Sequence, residues 1–182
     1  MAVPQRRRVF LGCEGESEQS YGALLGRLVE LRHHRIHLDT VLLRAGDPLA
    51  MIETAVKRKT ENECRRDAYA VCAVFLDTDT RRRSPPRAAE GEALARQHGL
   101  RLVWQEPCHE AVLLRHLPGC GTRRPQTTSQ ALADLQREWP DYRKGLPAST
   151  LARMIDRAAV LRAAASNPGL QEFLTDIEFG CD

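Results

Sequence analysis

Seven consecutive apolar residues, Ala70-Val71-Cys72-Ala73-Val74-Phe75-Leu76, stand near the middle of the chain. A run of this length without polar alternation suits a strand covered on both faces, the situation of a central strand in a parallel sheet. Three weaker strand signals accompany it, at Arg7 to Cys13, His37 to Arg44 and Leu100 to Trp104. Between them apolar residues recur at helical spacing, over Glu18 to His33, Pro48 to Cys64 and Ala88 to His98. Turn residues fall at the junctions: Ser17 as a helix cap, Ala45-Gly46-Asp47-Pro48 before the second helix, Ser84-Pro85-Pro86 before the third, and Gly99 just past its end. A fourth helix begins near Pro107 and runs to Leu117. Strand and helix alternating in this way predict an α/β fold, a mostly parallel four-stranded sheet with helices on both faces.

Beyond Leu117 the strand signals stop. A loop from Pro118 to Pro125 leads to a helix at Ser129 to Trp139, a longer one from Leu146 through Ala165, and a short one within Gly169 to Asp182. The reading is a core over residues 1–117 and a helical extension over 118–182, packed as a cap in one compact unit; 182 residues suit one domain.

Hydrophobic residues at 42% and charged residues at 28% are those of a globular chain, and no apolar run approaches the roughly 20 residues of a membrane span. The basic start is followed only by Val9-Phe10-Leu11, too short for a signal-peptide core, so a cytoplasmic protein is expected. The six cysteines form no Cys-x-x-Cys pair, which indicates neither zinc nor a disulfide framework. A net charge of +3 permits a nucleic-acid partner without requiring one. His33, His34 and His37 lie at a helix end and a strand start and suit helix termination better than metal binding.

Chemistry gathers at the strand ends. Glu14 and Glu18 follow the first strand in Gly12-Cys13-Glu14-Gly15-Glu16-Ser17-Glu18, Asp77-Thr78-Asp79 follows the third, and Glu110 follows the fourth. In an open parallel sheet ligands collect outside those carboxyl ends. Carboxylates crowded on one rim repel unless cations neutralise them, and oxygen donors of this kind suit Mg²⁺ or Mn²⁺. Arg81, Arg82 and Arg83 directly follow the Asp-x-Asp and are placed to face phosphate. No phosphate-binding Gly-x-x-x-x-Gly-Lys motif occurs, so any ATP hydrolysis would come from a partner.

Glu14-Gly15 with Glu18 and a helix, then an apolar strand ending in Asp77-x-Asp79, resembles the Toprim domain of primases, topoisomerases and the overcoming-lysogenization-defect class of nucleases. Glu106-Pro107-Cys108-His109-Glu110-Ala111-Val112-Leu113-Leu114-Arg115-His116 is similar to a segment of RloB-like proteins, and Tyr142-Arg143-Lys144-Gly145 to their Tyr-x-Lys segment. The resemblance implies a Toprim-like core, Mg²⁺ dependence, and a role in bacterial defence against phage, often beside an AAA- or ABC-type ATPase. It implies Glu14 as general acid/base or metal ligand, Asp77 and Asp79 as metal ligands, Glu18 as ligand of a second ion, and Lys144 as a phosphate contact. His109, where the family has Phe, and the missing Asn near Glu106 depart from the pattern.

The expected activity is metal-dependent phosphodiester hydrolysis of DNA or RNA. Two ions could stabilise both attacking and leaving oxygens. The alternative is a non-catalytic interaction or sensing subunit of an ATPase-containing complex; nucleotidyl transfer is a third reading. A homo-oligomer is left open.

Overall fold

The computed structural model describes residues 6–31, 35–44 and 46–180. Residues 1–5, His33, His34 and Cys181 lie outside these. Strand β1 (Arg7–Cys13) leads into α1 (Glu16–Glu30), β2 (Ile36–Leu42) into α2 (Pro48–Arg65), and β3 (Val71–Asp77) into α3 (Thr78–Arg83) and α4 (Pro85–Gln97). Strand β4 (Arg101–Gln105) is followed by α5 (His109–His116), α6 (Thr128–Glu138), α7 (Ala148–Leu151), α8 (Arg157–Ala164) and α9 (Pro168–Asp176).

The four strands form one sheet in the order β2-β1-β3-β4, and every pairing is parallel. This is a Rossmann-like α/β arrangement, with the all-apolar β3 in an interior position as its sequence predicts. Period-two alternation sorts the side chains onto two faces. Val9, Leu11, Cys13, Ala73, Phe75 and Val103 point to one face and share a core with α1, α5 and the helices after residue 118. Phe10, Cys72, Val74 and Leu76 point to the other and meet Met51, Ile52 and Ala55 of α2 and Ala95 of α4. The carboxy-terminal helices therefore form much of one layer. Phe173 of α9, for example, packs edge-on against Phe75 at 5.5 Å between ring centroids. Full burial of a side chain of this size is worth about 1.5–3 kcal/mol.

Several boundaries differ from the sequence reading for local reasons. Gly15, not Ser17, caps α1, with Glu18 reaching back to the Gly15 N–H at 3.1 Å. Ser17 instead accepts the Gly145 N–H at 3.0 Å. Arg81 to Arg83 belong to a short helix the sequence did not announce, which begins where Asp77 ends β3 and the Asp77 carbonyl accepts the Thr80 hydroxyl at 2.6 Å. The helix expected from Leu146 through Ala165 is two helices, since Asp156 accepts the Ala159 N–H at 2.8 Å and starts α8 anew. Gly99 has the left-handed φ of +65° expected of a residue closing a helix.

Candidate functional site

Chain order reverses between β1 and β3, which are neighbours in the sheet, so their carboxyl ends flank the crevice where open α/β sheets bind ligands. A cleft of about 590 Å³ opens there, and Glu14, Glu18, Asp77 and Glu110 all line it with Lys144. The structure thus gathers carboxylates from the ends of three strands and α1 around one space.

The polar contacts show how each is held. Glu14 accepts the Asp77 N–H at 3.0 Å, tying the end of β1 to the end of β3. Glu18 is spent partly on the α1 amino terminus. Glu110, only 3% exposed, pairs with Lys144 at 3.1 Å and receives the Tyr142 hydroxyl at 3.5 Å. One oxygen of Asp77, Oδ1, is buried and has no partner among the described residues. A buried acceptor left alone costs about 1–3 kcal/mol.

Electrostatics follow from this crowding. Burial, reinforced by the charges of Glu18, Glu14, Asp79 and Glu110, pushes Asp77 up to about 10. Burial also raises Glu14, the Asp77 N–H pulls it back, and Glu18 and Asp79 raise it again, leaving it at about 7. Burial would raise Glu110 too, but His109 and Lys144 outweigh it and hold that carboxyl below its usual range. Lys144 is held above its usual range: burial works against this, and Glu110 overcomes it. Burial pushes the neighbouring Cys108 thiol up to about 12, so it remains a thiol at neutral pH.

Asp79 is placed differently. Its carboxylate meets Arg83 at 3.7 Å and accepts the Thr128 hydroxyl at 3.2 Å, and it does not line the cleft, although its charge reaches Glu14 and Asp77. The three arginines are divided. Arg81 pairs with Glu92 and lies over the Trp104 ring, Arg82 pairs with Glu106, and Arg83 alone turns to an acidic residue of the motif. His109 is buried beneath the rim, where Gln105 donates to its Nδ1 at 2.8 Å and the Tyr21 ring lies 5.5 Å away. Glu16 and Arg44, which also line the cleft, escaped the sequence reading. Arg44 lies two residues past the end of β2, near a strand end like those that carry the acids, and this was the signal available for it.

The donor chemistry fits a hard divalent cation. Asp77 offers a buried, unpartnered oxygen, and Glu14 stands beside it among like charges that a cation would neutralise. Among the described residues no three His, Cys, Asp or Glu side chains are gathered as a ready ligand cage. Mg²⁺ does not need one, since it commonly takes one or two carboxylates and completes its shell with water and substrate phosphate. No family model, no curated protein and no solved structure matches the chain. Among the described residues no helix is long and apolar enough to cross a membrane.

Proposed function

We propose that this chain is a Toprim-type, RloB-like phosphodiesterase that hydrolyses nucleic acid with the help of Mg²⁺ or Mn²⁺. The observation that carries the reading is the unpartnered Asp77 oxygen at the end of β3, set in a cleft shared with four other carboxylates. Asp77 and Glu14 would hold the cation, with Glu18 and Glu110 beside them. When bound, such an ion stabilises negative charge on the phosphoryl oxygens and makes water more acidic. Without a cation the Glu14 carboxyl sits at about 7, so ion binding near neutral pH would release a proton. Arg44 and Lys144 contribute the positive charges lining the cleft and would orient the phosphodiester. Glu110 keeps the Lys144 ammonium at the rim. Asp79 acts here as a positioning residue, linking Arg83 and Thr128 at the side of the cleft. Association with an ATPase and a role in defence against phage belong to the same proposal and rest on the sequence resemblance.

The test is calorimetric titration of Mn²⁺ and Mg²⁺ into the protein and its Asp77→Asn and Glu14→Gln variants, with DNA and RNA cleavage assayed on the same samples. The proposal expects ion binding weakened at least tenfold in Asp77→Asn and cleavage lost in both. Ion binding without cleavage by the intact protein would favour the non-catalytic subunit instead. No ion binding at all would end the metal reading.

A further inference from the structure

The opposite end of the sheet carries a second charged feature. Two adjoining clefts, of about 650 and 440 Å³, meet at the start of β1 and the carboxy-terminal end of α2, and the second runs along β2 from Leu38 to Val41. Arg8, Arg65 and Arg66 line both, which makes them one trough, and Arg6 lines the first.

Two observations set this trough apart from an ordinary solvated surface. Arg65 and Arg66 are exposed, consecutive, and without an ion pair among the described residues, whereas the arginines after β3 are each paired with a carboxylate. Arg8, by contrast, is fixed. It is 8% exposed, pairs with Asp39 at 2.7 Å, donates to the Asp67 carbonyl and lies over the Tyr69 ring at 4.0 Å. The Tyr69 hydroxyl in turn donates to Asp39 at 2.8 Å and accepts from Asn62 at 3.1 Å. The Nε–H of Arg8 is buried with no partner among the described residues. Two free guanidiniums side by side, next to a third that Asp39, Asp67 and Tyr69 hold still, suit phosphate oxygens. The extent of the trough suits several phosphates in line rather than one.

We propose that this trough binds the phosphodiester backbone of a nucleic acid, as an anchoring surface separate from the acidic cleft. It makes backbone contacts, which position a strand without reading its sequence. The proposal does not require cleavage, because the trough and the cleft share no lining residue.

The experiment is fluorescence anisotropy with a labelled 20-base oligonucleotide at graded salt, in EDTA so that nothing is cut. The Arg65→Glu/Arg66→Glu variant should bind at least tenfold more weakly. Its plot of log affinity against log salt should also be shallower by about 1.4, at about 0.7 for each single-strand phosphate that an arginine no longer neutralises. Arg65→Gln/Arg66→Gln, which adds no negative charge, should show the same change in slope. Location is read independently from Cys64, the exposed cysteine in the trough, whose alkylation, followed by peptide mapping, the oligonucleotide should slow. Unchanged affinity and slope in both variants, or no protection of Cys64, would overturn the proposal. So would competition by inorganic triphosphate as strong, per phosphate, as by the oligonucleotide, which would mark a small-anion site.

Discussion

The Glu14 carboxylate accepts the backbone N–H of Asp77 across the β1/β3 junction at 3.0 Å, so the two acids of the cleft are coupled through the main chain as well as by charge. Asp77 bears the cost of this closeness. Its folded pKa is about 10 against an ordinary 3.8, so between these values the folded protein holds a proton that the unfolded chain has released. Stability must then fall as pH rises through that window, by up to about 1.4 kcal/mol per unit. In EDTA, Asp77→Asn is expected to be more stable than the parent by about 2 kcal/mol at pH 8, with a smaller gain at pH 5. Urea unfolding at the two pH values measures this, and a gain independent of pH would contradict the assignment.

Lys144 and Glu110 make a pair of unequal partners. Glu110 is buried and Lys144 is mostly exposed, so the worth of the pair lies in what remains when it is broken. Lys144→Met should destabilise the protein by about 1 kcal/mol, discounted for the solvent around the ammonium. Glu110→Gln added to it should restore most of that loss. A double-mutant cycle with no coupling would show the contact to be incidental.

His116 provides an acid-side prediction. Its Nδ1–H donates to the Val112 carbonyl at 2.8 Å, which leaves Nε2 to accept the Tyr21 hydroxyl at 2.9 Å, so the ring is held neutral. Burial lowers its pKa to about 4 from 6.5. Below pH 6.5 the unfolded chain takes up a proton that the folded one refuses. The protection present above 6.5 is therefore lost as pH falls toward 4, by up to about 3 kcal/mol. His116→Gln should flatten this slope, and equal slopes in the two proteins would assign the acid sensitivity elsewhere.

Two glycines of α1 should answer differently to the same change. A Cβ on Gly22 would lie 2.8 Å from side-chain carbons of Leu11 and Thr40, whereas one on Gly26 meets nothing nearer than 3.5 Å. Gly22→Ala is expected to cost about 1–3 kcal/mol by overpacking, and Gly26→Ala to gain about 0.5–1 kcal/mol from helix propensity. Thermal melts should separate them by several degrees.

Period and punctuation made the sheet readable: the run at β3, the short apolar run in β1, the alternation entering β2 and the turn residues between them mark four parallel strands, though not their order. They also located Glu14, Glu18, Asp77 and Glu110, because a strand end is a local property of the sequence. Which long-range partners Asp79, Arg81 and Arg82 would meet was not local. It depends on Thr128, Glu92 and Glu106, residues 11 to 49 positions away whose approach is set only by packing. Arg44 was overlooked because a basic residue at a strand end carries no motif. The break between α7 and α8 turns on one capping side chain, Asp156, inside an otherwise helical composition.

The Gly145 N–H bonded to Ser17, 128 residues earlier in the chain, ties the rim of the cleft to the order in which the molecule is made. A ribosome releases Glu14 and Asp77 long before Tyr142 and Lys144, which seat Glu110, and before Phe173, which backs Phe75. The rim of the cleft as described is therefore closed only by residues 142–145, which reach back to Glu110 and Ser17.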